Sequence, residues 1–590
     1  MKFIKVFLAG LLAFVVGSFL FFFLLIFMLA GIAGSMEERT VVQKGSVLKI
    51  NLAETITDAP VTDPLAGIDF MSMSSTPQLS LYEALRAIDA AAEDDRIDGI
   101  YIRLTGGGTI GSASMEELRA AIEGFKESGK FVIAYNETFS QGSYYLASVA
   151  DKIYMEPEGG MEWTGLSSEL MFYKGLLDKL DIKVEIFRPT ACKYKSAVEP
   201  YFLTQMSPEN RAQMQALINS MWATITETVS ASRGISVERL NELADNLAVM
   251  LPSEALEAGL IDGLAYDDQM KELLVEAGAK LDKKEELRFV SLGEYASQVG
   301  ADMKHLSAPQ VAILYADGSI VDGSGSGDVY GYTLSEQLRG LRLDDKVAAV
   351  VLRVNSPGGS ALASDLIWRE MELLKAEKPV VVSMGSYAAS GGYYISAPAD
   401  VIVADKMTLT GSIGVFGQYL YTADALKNKL GITLDAVKTN PSAGMGSTSP
   451  LTTAERAAIM RGVDRVYTRF TGLVAEGRNL PLERVLEIAG GRVWSGTEAL
   501  SIGLIDTWGG LKTAIALAAD KAELGDNYRI VEKVEEPSGF AAIVSSLTAR
   551  VRASVEQAEL GTLYREYKAV QEAVGQQGLV MYSPYRIELR

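Results

Sequence analysis

The chain has 590 residues, with 55 basic and 75 acidic side chains, a formal net charge of −20 and a hydrophobic fraction of 48%. An acidic balance of this size excludes nucleic acid as a partner, because phosphate binding needs a concentrated basic footprint. A single cysteine, Cys192, and a single histidine, His305, exclude an intrachain disulfide framework and a multi-cysteine metal site; no metal or cofactor is expected.

Lys2 and Lys5 precede a run without charge from Val6 to Met36. The apolar core of a cleaved leader is about 7–15 residues, whereas a spanning helix needs roughly 20. The length predicts a retained transmembrane helix within residues 1–40, although the small residues Ala30–Ser35 resemble a cleavage site. The two lysines then put the rest of the protein on the outer face of the membrane.

Beyond the polar stretch Glu37–Lys44, one plan is followed twice. Strand-length apolar segments at Gly99–Leu104 and Ala348–Val354 run into the turns Gly106-Gly107-Gly108 and Asn355-Ser356-Pro357-Gly358-Gly359. The periodicity predicts helices over Ser114–Glu127 and Ala363–Ala376, followed by strands at Phe131 and Val380. From there to Asp151 and Asp400 the copies superpose without a gap at a shift of 249 positions, with Gln141 in the first copy where the second has Ser390. Ser207-Pro208-Glu209 and Thr452-Thr453-Ala454-Glu455 open a long helix in each copy. Glu254-Ala255-Leu256 with Gly259-Leu260-Ile261-Asp262 returns as Glu498-Ala499-Leu500 with Gly503-Leu504-Ile505-Asp506.

A repeat of this length means duplicated domains and not a solenoid, and strands alternating with helices mean parallel sheets. The expected organisation is therefore α/β, with tandem duplicated domains at 41–305 and 306–540 and a tail at 541–590. The tail reads as helix over Ala541–Ala573 and as an extended segment over Val580–Leu589.

Ser390, in Ala388-Ala389-Ser390-Gly391-Gly392, stands at a strand end before a helical run, with neighbours small enough to admit a substrate backbone. It is not the Gly-x-Ser-x-Gly elbow, and its plain alternative is a helix N-cap. Ser383, Ser386 and Ser396 are nearby hydroxyls without the paired glycines. The Gly358-Gly359 turn allows backbone N–H groups to face a bound oxyanion, or is an ordinary strand-to-helix turn; no Gly-Lys-Ser/Thr follows to bind phosphate. A serine nucleophile needs a base, and His305 lies in the linker between copies. Lysine is the remaining choice, but with an ordinary pKa near 10.4 it must be buried among hydroxyls to lose its proton. Lys195, in Tyr194-Lys195-Ser196-Ala197-Val198-Glu199-Pro200, suits that description, and Lys193 competes two positions away. The matching place in the second copy, Ala443-Gly444-Met445-Gly446, has no lysine. Cys192 reads as a small core residue.

These signatures, with Thr410-Gly411-Ser412-Ile413-Gly414-Val415, resemble the signal peptide peptidase A (protease IV) family in its long two-repeat form, over nearly the whole chain. The resemblance implies tandem Clp/crotonase-like domains and a membrane-anchored Ser/Lys serine peptidase that degrades signal peptides after their release. Ser390 is then the nucleophile, Lys195 the general base and Ser412 the hydroxyl orienting the lysine; the N–H groups of Gly391 and of Gly358 or Gly359 form the oxyanion hole. It further implies a homo-oligomer, a tetramer in this family, held by one span in the inner membrane with its catalytic part on the periplasmic face. Two other classes fit the fold: an acyl-CoA enzyme of the crotonase type, and a catalytically idle membrane scaffold or chaperone.

Overall fold

A computed structural model describes residues 42–534 apart from 52–53, 62–67, 70–73, 76, 106–108, 300–306 and 447, together with Gly578–Tyr582 and residues 10, 14, 16 and 17. The expected span Val6–Met36 lies almost wholly outside the described residues, as do His305, the Gly106–Gly108 turn and the expected helix Ala541–Ala573. Among the described residues no helix is long and apolar enough to cross a membrane.

The first half is built on a parallel sheet of six strands. Its centre is β1 (Ser46–Ile50), β2 (Ile97–Ile102), β3 (Phe131–Phe139) and β4 (Lys152–Met161), flanked by the short edges Gly263–Leu264 and Arg288–Ser291. Parallel neighbours need crossovers, supplied by helices such as α1 (Leu81–Glu93), α2 (Ser112–Lys126) and α3 (Gln141–Ala147). α1 begins at a reciprocal capping box of Ser80 and Glu83 and buries Leu81, Leu85 and Ile88. Buried on both faces, the strands read as apolar runs: Val132, Ile133, Ala134 and Tyr135 of β3 are all inside. A further strand, β5 (Lys183–Phe187), leaves this sheet altogether. The long helix α4 (Pro208–Arg233) follows, its start capped by Ser207 with Pro208 in its first turn.

The second half repeats the plan with β6 (Gln310–Asp317), β7 (Val347–Ser356), β8 (Gly358–Ser360), β9 (Val380–Ala389), β10 (Leu409–Gly411), β11 (Phe416–Tyr421) and β12 (Val493–Ser495). The eight-stranded sheet runs β12–β10–β9–β7–β6 to an edge at Arg529–Lys533, with Val401–Ala404 and Thr507–Trp508 branching from β9. Helices α5 (Gly331–Leu343), α6 (Ala361–Lys375), α7 (Gly391–Ser396) and α8 (Thr453–Gly477) cover it. The expected helices at Ser114 and Ala363 both begin two residues earlier, because Gly111 and Ser360 are the residues that cap them. Thr452 and Glu455 form the expected capping box of α8.

A third sheet joins the halves. It runs Val329–Tyr330, Ile320–Val321, β8, β13 (Gly578–Tyr582), β11 and β5. β5 of the first half thus pairs antiparallel with β11 of the second, Phe187 opposite Gly417 and Lys183 opposite Tyr421. The chain beyond β5 is carried over the second half, where Phe187 and Cys192 enter its core. A buried charge knot also crosses the boundary. Arg353 on β7 holds Asp58 Oδ1 through Nε at 2.8 Å and Glu117 Oε1 through Nη1 at 2.8 Å, with all three side chains buried.

Candidate active site

β9 ends at Ala389, and α7 starts at Gly391. Between them Ser390 has φ 57° and ψ −111°, a conformation that costs a non-glycine residue of order 1–3 kcal/mol and must be held by its surroundings. Its N–H donates to Gly411 O at 2.8 Å and its carbonyl accepts from Tyr394 N at 2.8 Å. The N-cap expectation holds for position alone: Ser390 Oγ makes no cap bond. It is fully buried and lies 2.6 Å from Lys195 Nζ.

Lys195 arrives on the arm that follows β5. The approach of its backbone is allowed by Gly491, where an added Cβ would stand 2.6 Å from Lys195 Cβ. Tyr194 N–H donates to Gly490 O at 2.9 Å, and Arg188 Nη1 donates to Lys195 O at 3.1 Å. The amine also meets Ser412 O and Ser412 Oγ, each at 2.9 Å. Ser412, at φ 50°, is fixed by its N–H on Arg492 O at 2.7 Å and donates its hydroxyl to Gly491 O at 3.4 Å.

Among the described residues no carboxylate bonds this amine, and burial drives the Lys195 pKa down to about 7. Burial pushes the Cys192 thiol up to about 11, so it is neutral at pH 7 and adds no charge. A neutral amine has two N–H donors and one lone pair. Its three partners match that inventory: Ser412 O and Oγ accept, and Ser390 O–H donates to the lone pair. Such an amine can take the proton of a serine that attacks a carbonyl.

The glycine turn lies against the same serine. An added Cβ at Gly358, whose φ is 97°, would stand 2.6 Å from Gly391 N and 2.2 Å from Met581 O. One at Gly391 would stand 3.1 Å from Gly359 N. The backbone of the turn and of the α7 start can therefore approach only because neither position carries a side chain. The Gly358 N–H meets Ser356 Oγ at 3.2 Å. β13 pairs antiparallel with this turn, Met581 opposite Gly359, and fills the slot between β8 and β11.

The competing residues stand apart from this cluster. Ser383 Oγ accepts from Arg353 Nη1 at 2.8 Å, Ser386 Oγ accepts from Ala113 N at 3.3 Å, and Ser396 Oγ donates to Gly392 O at 2.7 Å. Lys193 is exposed. Three contributors escaped the reading of the sequence: Gly490-Gly491, Arg492 and Gln213. The glycine doublet was the visible signal.

A parallel α/β duplication with a buried lysine amine on a strained serine defines a hydrolase-like centre that, among the described residues, holds no histidine. The family follows from comparison. Peptidase family S49 matches residues 124–282 and 372–525, one stretch in each half. The chain is 36% identical to Protease 4 of Salmonella typhi over 553 residues, 90% of this chain and 88% of that protein. It is 33% identical to the chloroplastic serine protease SPPA of Arabidopsis thaliana, over 86% of this chain and 74% of that one. A putative signal peptide peptidase SppA of Enterococcus faecium is 36% identical over 35% of this chain and 60% of its own length. The chain belongs to peptidase family S49.

Proposed function

We propose that this serine peptidase degrades released signal peptides with a Ser390–Lys195 dyad assembled from both halves of one chain. The observation that carries the reading is the 2.6 Å contact between Lys195 Nζ and Ser390 Oγ in an enclosure without carboxylates. Ser390 attacks the scissile carbonyl and passes its proton to Lys195, which returns it to the leaving amine. Water then releases the acyl group with Lys195 again as base. Ser412 orients the amine. The N–H groups of Gly391 and of Gly358 or Gly359 stabilise the oxyanion, worth a few kcal/mol per donor.

The substrate reading rests on the relatives named Protease 4 and signal peptide peptidase SppA and on the slot beside the glycine turn. The chain's own β13 pairs there in extended form, which is how a peptide strand is recognised by its backbone at a sheet edge. In this reading residues 1–40 anchor the protein in the inner membrane, 41–305 bring the base, 306–540 bring the nucleophile on the periplasmic side, and 541–590 form the tail.

A homo-oligomer is part of the same proposal. β5 follows the left-handed residue Asp181, and Glu185 on it pairs with Arg456 at 2.7 Å. In the second half the left-handed Gly431 is followed by the exposed residues 432–440, and Asp435 and Arg211 stand at the places matching Glu185 and Arg456. A second copy that repeats the β5–β11 contact satisfies both. Neither an acyl-CoA enzyme nor an idle scaffold has a use for a deprotonated lysine on a buried serine.

The test is turnover of leucine- and alanine-rich peptides by the full chain in detergent, with fluorophosphonate labelling of Ser390. Parent activity with labelling, both lost in Ser390→Ala, is the expected result. A fully active Ser390→Ala sinks the dyad, and equal turnover of polar peptides sinks the substrate assignment.

A further inference from the structure

A helix from the first half reaches the site from behind. Gln213, on α4, is wholly buried. Its Nε2 donates to Tyr194 O at 3.0 Å, to Ser196 Oγ and to Asn210 Oδ1, so it grips the residues on either side of Lys195. Its Oε1 accepts from Val493 N at 3.3 Å, on β12 of the second half. Val493 pairs with Gly411, whose carbonyl receives the Ser390 N–H at 2.8 Å and whose successor is Ser412. One amide side chain thus spans from both flanks of the lysine to the strand beside the hydroxyl that orients it.

Two further observations separate this residue from ordinary core polarity. The start of α4 is itself tied to the arm: buried Glu199 accepts from Ser207 N at 3.1 Å and from Asn210 Nδ2 at 2.9 Å. Aligning the helix caps Ser207 and Thr452, the residue matching Gln213 in the second copy is Ala458, which is exposed. That copy has Ala443-Gly444-Met445-Gly446, without a lysine, where the first has Lys195. The amide is therefore found in the copy that carries the lysine and missing from the copy that does not. A buried side chain with both ends bonded across two segments fixes their relative position, and a displacement of about 1 Å at a reacting pair can cost about a hundredfold in rate.

We propose that Gln213 is a positioning residue for the peptidase reaction, locking the Lys195 arm of the first half onto β12 of the second, the strand beside Ser412. The proposal rests on the dyad reading above. Gln213 does not touch Ser390 or Lys195 Nζ; it acts through the backbone of Tyr194 and the hydroxyl of Ser196. The charged and titratable groups on or beside the arm include Arg188, Cys192, Lys193, Tyr194, Glu199 and Arg492, and in the contacts described only Tyr194, through its backbone carbonyl, bonds Gln213.

The experiment measures kcat, KM and the midpoint of the acid limb for Gln213→Met in the full chain, with Ser220→Ala as control. Ser220 lies on the same helix and meets Ser495 Oγ at 2.7 Å, so it crosses the same helix–strand contact without touching the lysine arm. Gln213→Met keeps volume and loses both bonding ends. Its kcat should fall by about tenfold or more with KM within about threefold, and its acid limb should move upward as the amine gains solvent. Ser220→Ala should keep the parent's kcat and midpoint. Parent-like kcat in Gln213→Met overturns the proposal, as does an equal fall and equal midpoint shift in Ser220→Ala. Should Gln213→Met fail to fold, Ser196→Ala removes one of the gripped acceptors and should lower kcat about threefold with an unmoved KM; unchanged kcat there overturns it too. Failure of the dyad reading is distinguishable, because Lys195→Met would then remain active.

Discussion

The turn after the third central strand is built in two ways in this chain. In the first half Ser140 caps α3 in an ordinary extended conformation, φ −76° and ψ 165°, with its Oγ receiving the Ser143 N–H. Gln141 then folds its amide onto the neighbouring loop, accepting from Thr164 N at 2.9 Å and Gly165 N at 2.7 Å and donating to Gly165 O at 2.9 Å. In the second half Ala389 replaces the capping serine, and Ser390 sits at φ 57° with its hydroxyl turned to another segment's amine. The first turn is relaxed and internally satisfied. The second keeps strain and leaves a hydroxyl for chemistry. Duplication supplied the same scaffold twice, and the copies diverged in where they spend their polar groups.

The largest expected effect lies in breaking the second turn's chemistry. Ser390→Ala and Lys195→Arg should each lower kcat/KM by about a thousandfold or more, since a guanidinium keeps its proton and cannot serve as a base. Lys193→Ala, on an exposed side chain, should stay near the parent. In the parent, activity should rise with pH through about 7, the value to which burial lowers Lys195. A pH profile that is flat from 6 to 8 removes lysine as the base.

The contact between Ser390 and Lys195 was legible because its parts are chemical: a serine beside paired glycines in one copy, a lysine beside hydroxyls in the other. The supporting parts were not. Gly491, Gln213 and Arg353 act by touching residues about 280 to 300 positions away in sequence, and no local period or motif encodes such a contact. The duplicated parallel sheets followed from alternation of strands and helices, but the third sheet did not. β5 looks like any short strand until its partner, β11 of the other half, is known.

Next in size is the stability stored in the lysine enclosure. With its pKa lowered from 10.5 to about 7, the folded protein carries a buried charge below pH 7 that the unfolded chain keeps in water. Between about 7 and 10.5 the unfolded chain binds the proton that the folded chain has released, so this group's contribution improves as pH rises through that window. Lys195→Met should therefore be more stable than the parent, by on the order of 5 kcal/mol at pH 6 and much less at pH 10. Urea melts at the two values measure it; an advantage that does not shrink at pH 10 contradicts the cause.

The charge knot between the halves should respond in the opposite sense. Beside the knot, burial raises Glu116, which accepts from Met407 N, to about 7 and Asp317, which accepts from Asn355 Nδ2, to about 6, so each folded carboxyl holds its proton at pH values where the unfolded chain has lost it. Their contribution is present at low pH and falls as pH rises from about 4 to about 7. Arg353→Met strands the carboxylates of Asp58 and Glu117 without their cation and should cost about 3–5 kcal/mol at neutral pH. Acidification should narrow that gap, because burial raises the Glu117 pKa and a protonated carboxyl needs no counter-charge. A gap that is the same at pH 5 and pH 8 would mean that packing, not charge, is what Arg353 supplies.

The smallest effect comes from copying the second turn into the first. Gln141→Ser leaves the backbone N–H groups of Thr164 and Gly165 without their acceptor, a loss of about 1–3 kcal/mol. It should create no second reactive serine. In the first half Gln141 opens α3 after the ordinary extended cap Ser140, whereas its counterpart Ser390 precedes α7 in a strained conformation. The segment of the second half that matches the Lys195 arm, Ala443-Gly444-Met445-Gly446, has no lysine to offer the first half, and Gly444 and Met445 lie exposed. Fluorophosphonate labelling read by intact mass should give one adduct per chain in the parent and still one in Gln141→Ser, with peptide turnover unchanged. A second adduct would mean that the fold activates any hydroxyl placed at this turn, and that the amine across from it matters less than its 2.6 Å contact implies.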